Sequence, residues 1–411
     1  MISRRVAITG VGIVSPHSND VRSTFNALLD GKSAVRELFL ESDVGSLVVA
    51  GASSTLAPSY TSFTPAVTAT ADKISLFALY AAKSAIDDAG LDLSAENPER
   101  VGVAAGTSLG GTISQEGAYQ EVFKRGKSRL SPFTLVRVMY NGPAAQIAMQ
   151  HGLEGPSITH STTCSSSSVS IGESMRTIRH GYADVMIAGG SEALFSYVSI
   201  KAWQALQVLA LPRDKNVSGL CKPFSLDRNG TVLGDGAAFV VLEEFDRAKH
   251  RGARIYAELA GYGVCSDSGH LTQPSVSGQC RAMTAALEDA NLAVDQVDYI
   301  NAHGTGTQVN DVTETRAIQR AFGSHSFKMA VSSTKSMHGH LVGAAGALEL
   351  IVATMALSRG AIPPTAHLTL PDPDCNLDYV PNFGRKSVVR AALSNTFAVG
   401  GTAAVLAIRQ I

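Results

Sequence analysis

Short apolar runs alternate along this chain with longer stretches in which apolar residues recur at helical spacing. The runs with the character of buried strands are Val101 to Gly106, Val185 to Ala188, Tyr256 to Tyr262 and Val297 to Ala302. The helical patterns between them include Asp72 to Ala89 and Gln279 to Ala290. Such alternation is typical of α/β layering around buried strands. We therefore expect an α/β fold.

The two halves of the chain share a weak internal repeat. Near Ser157 to His180, and again near Ala330 to Gly360, a β segment meets a Ser/Thr-rich turn and then an apolar-periodic helix. Arg5 to Gly12 and Ala257 to Val264 likewise each read as a strand that runs into glycines. If two similar halves face each other, both Ser/Thr-rich turns meet at one central site.

Composition narrows the range of partners and compartments. The chain carries 34 Lys and Arg against 35 Asp and Glu, a formal charge of -1, so no overall field attracts nucleic acid or an anionic membrane. Apolar residues make up 45% of the 411 residues, but we expect no segment to approach the roughly 18 apolar residues of a membrane-spanning helix. These features predict a soluble protein.

The cysteines and the amino terminus point to the same compartment. The five cysteines are far apart, and none belongs to a Cys-x-x-Cys pair. The first residues read as a short strand that enters a glycine turn, and we see no apolar secretory stretch in them. We expect a cytoplasmic protein without structural zinc.

The Ser/Thr-rich turn of the first half contains a cysteine, Cys164, within the segment Ser161 to Ser168. The helical pattern Val169 to Arg179 follows, so the thiol is predicted at a helix start. There, unpaired N–H groups and the positive end of the helix dipole favour the thiolate and can donate to an oxyanion. An arbitrary cysteine is more often a small buried apolar residue, but this context favours a nucleophile.

His303 lies in Asn301 to Thr307, directly after a predicted buried strand. Strand ends are where the sites of α/β sheets are assembled, although a lone histidine there is more often structural. Gly and Thr residues on both sides add backbone access and hydroxyl donors.

A second turn of small residues, Ser332 to Gly346, holds Lys335 and His340 and opens the helix that contains Glu349. Small residues permit close backbone packing around a narrow pocket. His338 and His340 could begin a metal site, but no carboxylate or cysteine completes a ligand set at a familiar spacing. We expect no bound metal.

One cysteine with two histidines leaves two kinds of enzyme open. A cysteine hydrolase needs one histidine base and an orienting amide or carboxylate. Two neutral imidazoles that donate to one thioester oxygen would instead stabilise the enolate left when a malonyl group loses carbon dioxide. The second histidine therefore favours a condensing enzyme over a hydrolase.

Taken together, the motifs resemble those of the β-ketoacyl-acyl carrier protein synthases of the thiolase superfamily, in particular the type II elongating ketosynthases. The resemblance covers nearly the whole chain, in Thr163 to Ser166, Pro223 to Gly236, Asn301 to Thr307, Ser333 to Gly346 and Ser394 to Thr402. It implies a thiolase-like, duplicated α-β-α-β-α layered sandwich. Residues 1–252 would form the half that carries the cysteine, and residues 253–411 the half that carries the histidines.

The resemblance also implies a mechanism. Cys164 would accept an acyl group from the phosphopantetheine arm of an acyl carrier protein, with an oxyanion hole formed by the backbone N–H groups of Cys164 and Val399. His303 and His340 would polarise a malonyl thioester, whose enolate attacks the Cys164 thioester and releases a β-ketoacyl product. The chain itself would bind no cofactor.

Other residues take supporting roles by the same resemblance. Lys335 would organise the two histidines without acting as the base, and Glu349 would hold the surrounding turn. Thr305 and Thr307 match positions whose hydroxyls contact the pantetheine arm. Thr272 is a further candidate for that contact, with ordinary turn capping as the alternative.

Leu109 and Phe133 are candidates to line the acyl tunnel, or are plain core. A basic cluster could receive the acidic carrier protein through salt-sensitive contacts, or could be an ordinary solvated face. The residues of this cluster are Lys124, Arg125, Lys127 and Arg129, with Arg213.

A dimer is also implied, either a homodimer or a heterodimer with a homologous chain-length subunit that lacks the cysteine. The alternative is that this chain is itself a non-catalytic chain-length or carrier-binding subunit. The intact set of Cys164, His303 and His340 argues against that alternative.

The chain departs from the family pattern in its carboxy-terminal turn. Fatty-acid elongating members usually carry Phe-Gly-Phe-Gly-Gly, whereas this chain has Phe397-Ala398-Val399-Gly400-Gly401. We expect Phe397 and Val399 to contact substrate, and the smaller Val399 to open space over the thiol. The added space would either alter the timing of malonyl entry or admit a longer or stiffer, unsaturated chain.

Two further departures favour a specialised polyketide or polyene pathway, while housekeeping fatty-acid synthesis stays open. Thr68 to Phe77 holds only Lys73 where housekeeping members often carry several basic residues, and Thr305 to Thr307 with Asn310 and Asp311 is closer to polyketide ketosynthases.

Overall fold

The structure is a computed structural model that describes residues 4–43, 45–56, 63–211 and 216–411. Its strands are β1 (Val6–Val14), β2 (Arg36–Ser42), β3 (Gly45–Ala52), β4 (Val101–Gly106), β5 (Ser157–His160), β6 (Val185–Glu192), β7 (Leu233–Gly234), β8 (Gly236–Glu244), β9 (Ala257–Ser266), β10 (Tyr299–Asn301), β11 (Ala330–Ser332), β12 (Ala361–Ile362), β13 (Arg385–Lys386), β14 (Ala391–Phe397) and β15 (Thr402–Arg409).

The helices follow in the same chain order. They are α1 (Val21–Leu29), α2 (Pro65–Thr70), α3 (Lys73–Ala89), α4 (Thr112–Tyr119), α5 (Thr134–Val138), α6 (Gly142–His151), α7 (Ser166–Arg179), α8 (Tyr197–Ala205), α9 (Phe245–His250), α10 (Val276–Ala290), α11 (Gln308–Phe322), α12 (Lys335–His338) and α13 (Ala345–Arg359).

Capping residues explain where the predicted helices begin. Helix α3 starts one residue after Asp72, whose carboxylate accepts the N–H of Ile74 at 3.1 Å. Helix α10 starts before the predicted Gln279, because the hydroxyl of Ser275 caps it by accepting the N–H of Gly278 at 3.0 Å. An N-cap side chain satisfies a backbone donor that the first helical turn leaves unpaired. The apolar pattern alone therefore misplaced the start of α10.

Ten strands form one sheet in the order β11-β10-β14-β15-β9-β1-β8-β6-β4-β5. Outward from its centre, the N-terminal half runs β1-β8-β6-β4-β5 and the C-terminal half β9-β15-β14-β10-β11, with the same sequence of antiparallel and parallel pairings. The halves join through the short antiparallel pairing of β1 with β9. The expected duplication is confirmed in this topology.

Helices α7 and α13 pack against each other between the two half-sheets. The outer layers are α3 and α6 on the N-terminal half-sheet, and α10 and α11 on the C-terminal half-sheet. This arrangement is the expected α-β-α-β-α sandwich. Since α7 and α13 are equivalent elements of the two halves, their amino termini lie together in the middle layer.

The segment Val342–Arg359 corrects one expectation from the sequence. It is long and apolar enough to cross a membrane, with 18 residues and a mean hydropathy of 1.4. However, 89% of it is buried inside the protein. The segment is therefore the central core helix, whose apolar character reflects burial on every face.

Small residues let the two central helices approach closely. A Cβ atom added to Gly346, at the start of α13, would lie 2.0 Å from Oγ of Ser168 on α7. Hydroxyls of α7 also pair across the contact, since Ser167 Oγ accepts the N–H of Ala347 at 3.0 Å and Thr396 Oγ1 donates to Ser168 Oγ at 2.7 Å. The serines buried at the start of α7 thus have partners, and burying them carries little penalty.

Candidate active site

Cys164 lies in a short 3₁₀ turn, Thr163–Ser165, between β5 and α7. The structure therefore places the thiol at a helix start, as the sequence predicts. The side chain is buried, with 4% exposure. Thr163, immediately before it, has a φ of 49°, in the left-handed region that β-branched residues rarely adopt.

The expectation that this position favours the thiolate is wrong for the free protein. Burial raises the pKa of the Cys164 thiol to about 11, which outweighs the opposing effects of Lys335 and of the backbone N–H groups of Val399 and Cys164. Desolvation penalises the charged form of a buried thiol. Cys164 is therefore a protonated thiol at neutral pH, with two backbone donors already directed at its sulfur.

His340 contacts the thiol directly, with Nε2 at 3.1 Å from Sγ of Cys164. Its other ring nitrogen, Nδ1, accepts the backbone N–H of Val342 at 3.2 Å. An imidazole nitrogen that accepts a hydrogen bond carries no proton, so the neutral ring has its hydrogen on Nε2. His340 therefore presents a donor to the cavity.

His303 completes the cluster. Its ring meets that of His340 edge to face at a centroid distance of 5.5 Å and packs against Phe397 at 5.9 Å. Sγ of Cys164 and one nitrogen of each imidazole all lie within 4.8 Å of one another. Three distant stretches of the chain thus converge on a volume the size of one thioester group.

Both imidazoles are held neutral. Burial and the positive charge of Lys335 both lower the pKa of His303 and of His340, burial more than the charge. Each pKa lies well below its ordinary value. Lys335 is fully buried and paired with the fully buried Glu349 of α13. Burial raises the pKa of Glu349 to about 7, against the opposing charge of Lys335. Lys335 therefore acts on the two rings through its charge.

A soft metal ion is the other ligand that Cys164, His303 and His340 could hold by donor type and spacing. The pair considered from the sequence is different, because His338 turns away from this cluster. Its Nδ1 hydrogen-bonds to Gly339 O at 2.7 Å and its Nε2 to Thr334 Oγ1 at 3.0 Å. The expectation of no bound metal stays a prediction.

A cavity of about 330 Å³ opens above the cluster. Its walls include five predicted substrate contacts, namely Thr272, Thr305, Thr307, Phe397 and Val399. Trp203, the only tryptophan of the chain, also lines it. The cavity combines apolar walls with a few polar groups, as small-molecule sites do.

Three of these contacts have visible local roles. The hydroxyls of Thr305 and Thr307 lie 2.9 Å apart, and Thr307 caps α11 by accepting the N–H of Asn310 at 3.4 Å. Thr272 donates its backbone N–H to Nδ1 of His270 at 3.1 Å, within an exposed turn. The turn-forming alternative for Thr272 therefore remains open beside the pantetheine contact.

The tunnel candidates do not line this cavity. Leu109 packs in the apolar cluster around Cys164, whereas Phe133 is 42% exposed on the surface. Their tunnel roles stay predictions.

Two residues of the basic cluster, Arg125 and Lys127, form ion pairs. Arg125 bonds Asp43 and Glu121, and Lys127 bonds Glu121. Arg213 lies outside the described residues. These ion pairs favour the solvated-face interpretation for Arg125 and Lys127.

Two carboxylates that the sequence did not single out brace the site. Glu192 accepts the N–H groups of Ser108, Leu109 and Gly343 at 2.8, 3.3 and 3.0 Å, so it links the loop after β4 to the turn before α13. Burial raises the pKa of Glu192 to about 7. Glu314 accepts the N–H groups of His303 and Gly304, both at 2.8 Å.

A signal for Glu314 existed in the sequence. It lies one helical turn beyond Asp311 in the segment that follows His303, where a carboxylate can turn back toward the loop. Glu192 had no comparable signal, because its partners come from two segments that are far apart in the chain, the loop after β4 and the turn before α13.

Comparison with known proteins supports the same reading of the chain. The family profile described as "Beta-ketoacyl synthase, N-terminal domain" matches residues 3–248, and the profile "Beta-ketoacyl synthase, C-terminal domain" matches residues 256–369. Nodulation protein E of Rhizobium meliloti (strain 1021) is 43% identical, and 3-oxoacyl-[acyl-carrier-protein] synthase 2 of Coxiella burnetii (strain RSA 493 / Nine Mile phase I) is 39% identical, each with full coverage of both chains.

Solved structures are similar over the full length as well. The ishigamide ketosynthase/chain length factor has a TM-score of 0.92 at 30% identity, with full coverage of both chains. A type II polyketide synthase acyl carrier protein in complex with its hexaketide-bound ketosynthase has a TM-score of 0.90 at 32% identity, again with full coverage.

Proposed function

The chain belongs to the β-ketoacyl synthase family and condenses an acyl chain with malonyl-acyl carrier protein by decarboxylation, and within that activity we propose specific roles for its residues. Cys164 carries the acyl chain, and the neutral imidazoles of His303 and His340 hold the oxygen of the malonyl thioester. The backbone N–H groups of Cys164 and Val399 form the oxyanion hole. Burial, together with the charge of Lys335, holds both imidazoles neutral, and Glu349 balances that buried charge.

Acyl loading is a thioester exchange. The Cys164 sulfur attacks the thioester carbonyl of the acyl carrier protein, and the new oxyanion is held by the N–H groups of Cys164 and Val399. Collapse breaks the bond to the pantetheine sulfur, which leaves as a thiol with the proton that Cys164 gave up. Because one thiol replaces another, the step needs no net base.

Condensation uses the histidines. Malonyl thioester loses carbon dioxide, and the electron pair of the broken bond becomes an enolate whose oxygen is held by the two imidazoles. The enolate carbon attacks the Cys164 thioester, and the bond to sulfur breaks with the electrons on sulfur. A proton from solvent restores the thiol. The product is a β-ketoacyl thioester on the carrier arm.

The observation that carries this assignment is the tautomer of His340. With Nδ1 occupied by the N–H of Val342, the ring presents Nε2–H to the cavity. A donor at this atom serves enolate stabilisation, whereas a hydrolytic base needs an acceptor there. Retention of the thiol and of both rings also disfavours a non-catalytic carrier-binding subunit.

The partner is an acyl carrier protein whose phosphopantetheine arm enters the cavity past Thr305, Thr307 and Thr272. The names of the 3-oxoacyl synthase relative and of the solved carrier complex support this proposal. The chain supplies no cofactor of its own for this reaction. The five free cysteines fit a reducing compartment, which supports a cytoplasmic location.

A dimer is the proposed assembly. Strand β5 lies at the edge of the ten-stranded sheet and exposes Ile158, with Leu135 and Met149 exposed in neighbouring segments. An unprotected apolar edge strand is suited to pairing with another chain. The partner is a second copy or, as in the ishigamide ketosynthase/chain length factor, a homologous subunit. Phe133 would then be covered at the interface, where the acyl tunnel could continue.

The pathway is proposed to be a specialised one, with an acyl chain that is longer or stiffer than those of housekeeping synthesis. Val399 supports this proposal, because it lines the cavity in place of the usual aromatic ring. Similarity to Nodulation protein E and to the ishigamide ketosynthase points the same way.

Intact-protein mass spectrometry tests the proposal. After incubation with acyl-acyl carrier protein we expect one acyl adduct on the protein, mapped to Cys164, and after addition of malonyl-acyl carrier protein we expect its loss with formation of β-ketoacyl carrier. Release of free fatty acid would favour a hydrolase, and absence of any adduct would favour a non-catalytic subunit. Cys280→Ala, at a half-buried thiol outside the cavity, is the matched control and should acylate normally.

A further inference from the structure

Thr163 is conformationally unusual and lies next to the nucleophile. Its φ of 49° is unfavourable for a β-branched residue. Strain of this kind persists only where surrounding interactions hold it, and it concentrates at functional sites. The contacts of Thr163 therefore indicate what that conformation is for.

The hydroxyl of Thr163 reaches the carboxy-terminal turn. Oγ1 lies 2.6 Å from the carbonyl oxygen of Val399 and 2.8 Å from that of Thr162. The contact with Val399 is the shorter one and joins segments 236 residues apart. It connects the nucleophile turn of one half to the cavity wall of the other.

Two glycines follow Val399 in its turn. Gly400 and Gly401 follow it with φ angles of 97° and 83°, values open to glycine at low cost. Gly400 donates to Leu271 O at 2.8 Å, and Gly401 donates to Ala398 O at 3.0 Å and accepts from Asp267 at 2.6 Å. None of these bonds involves Val399 itself. Among the described residues, Thr163 supplies the side-chain bond that holds Val399 toward Cys164.

The backbone N–H and the backbone carbonyl of Val399 interact with different partners. Its backbone N–H lies close enough to the Cys164 sulfur to lower the pKa of that thiol, while its carbonyl accepts the Thr163 hydroxyl. An aromatic ring at position 399 could anchor the turn by packing, but a valine that is 36% exposed provides little such anchorage. The hydroxyl of Thr163 can take over that task.

We propose that the Thr163 hydroxyl is a positioning group that fixes Val399, so that its N–H faces the oxyanion formed at the Cys164 thioester. Thr163 touches no reacting atom and acts through Val399. The inference rests on the proposed function and adds a residue to it. It predicts a split between steps, because the Val399 N–H serves the tetrahedral intermediates while enolate formation relies on the histidines.

Three substitutions at this position separate the hydroxyl from the strain. Thr163→Val keeps the shape and removes the hydroxyl, Thr163→Ser keeps the hydroxyl, and Thr163→Gly removes both the hydroxyl and the conformational strain. Loss of one oxyanion-hole donor typically costs about 10²–10³-fold in rate, so a donor that is present but misplaced should cost about 10–100-fold. Thr163→Ser should acylate within about threefold of the parent rate, since its donor is retained.

The measurement is single-turnover acylation of Cys164 by acyl-acyl carrier protein, followed by mass spectrometry, beside decarboxylation of malonyl-acyl carrier protein without an acyl donor. The valine and glycine variants should acylate slowly with unchanged KM for the carrier and decarboxylate malonyl at the parent rate. Normal acylation by the glycine variant would overturn the proposal and assign the valine defect to folding. A serine variant as slow as valine, or equal loss of both steps, would also overturn it. Failure of the proposed function is distinct, because the parent protein itself would then form no adduct.

Discussion

The two halves of the molecule use the same local architecture for different chemistry. In the N-terminal half, β5 leads through the Cys164 turn into α7, and in the C-terminal half β11 leads through the Lys335 and His340 turn into α13. Both helices lie in the central layer. Duplication of the fold therefore brings the two turns together, and the side chains of each turn decide what that half contributes.

The difference lies in charge and in how it is buried. The N-terminal turn presents a neutral thiol among hydroxyls that pair with one another and with the backbone. The C-terminal turn buries a full ion pair, Lys335 with Glu349, whose cation acts on both imidazoles and on the thiol. One half therefore holds the acyl chain, and the other half adds to the effect of burial a positive charge that favours neutral imidazoles and the thiolate of Cys164.

The variant with the largest expected effect removes the nucleophile, which is the contribution of the N-terminal half. Cys164→Ala should lower condensation by about 10⁴-fold or more, as loss of a nucleophile does in other covalent enzymes. Decarboxylation of malonyl-acyl carrier protein should persist, because the imidazoles remain. Carrier-bound products measured by mass spectrometry test both statements. Loss of decarboxylation in this variant would contradict the division between the halves.

The variant with the next largest expected effect removes the buried positive charge of the C-terminal half. Lys335→Met leaves Glu349 buried without its partner and should lower the free energy of unfolding by about 3–5 kcal/mol. Urea denaturation measures this loss, and the double variant Lys335→Met/Glu349→Leu should recover most of it. Arg316→Ala, which breaks an exposed pair with Asp374, is the control and should cost about 1 kcal/mol or less. A similarly small cost for the buried variant would contradict the prediction.

Removal of either imidazole should affect the second step more than the first. His303→Ala and His340→Ala should each lower condensation by about 10²–10³-fold, since each removes a donor to the enolate. Acyl transfer to Cys164 should fall far less. His180→Ala, at an exposed histidine just after α7, is the control. Equal loss of acyl transfer and condensation would place the rings in both steps.

The pKa of the thiol predicts a pH dependence. Only the thiolate is alkylated, and a pKa raised to about 11 means that the thiolate fraction grows with pH throughout the neutral range. Between pH 7 and pH 9 the rate of Cys164 alkylation by iodoacetamide should rise by about 100-fold, tenfold per unit. Peptide mapping follows Cys164 separately from the other thiols. An alkylation rate that stops rising below pH 8 would mean that the helix start lowers the pKa of Cys164 more than burial raises it.

The variant with the smallest expected effect changes Val399, in the carboxy-terminal turn between β14 and β15. Val399→Phe restores an aromatic ring at the cavity wall and should shift preference toward short, flexible acyl chains by about 10-fold, the scale of discrimination by pocket size. Competition between carriers loaded with chains of different length and saturation measures the shift. Val399→Ile, which adds little volume, is the control. An unchanged profile with phenylalanine would remove Val399 from the selectivity argument.

Individual residues show which features of the fold and of the site could be predicted from the sequence. The bounds of β4 and the positions of Cys164, His303 and His340 at strand and helix ends follow from apolar period and turn composition, which are local properties. The bracing by Glu192 was not predictable, because its oxygen atoms collect N–H groups from separate parts of the chain. The protonation state of Cys164 was predicted with the wrong sign, because its position on a helix is local whereas its desolvation is not.

The sequence by itself determined the alternation of strands and helices, the repeated strand-turn-helix unit, and the residue types that carry the chemistry. Only the tertiary structure decided that the two turns meet within one thioester's reach, that Val342 sets the proton of His340 on Nε2, and that Thr163 reaches Val399. The reason is physical. Periodicity and turn chemistry act between near neighbours, whereas burial, charge interaction and tautomer depend on atoms that only folding brings together.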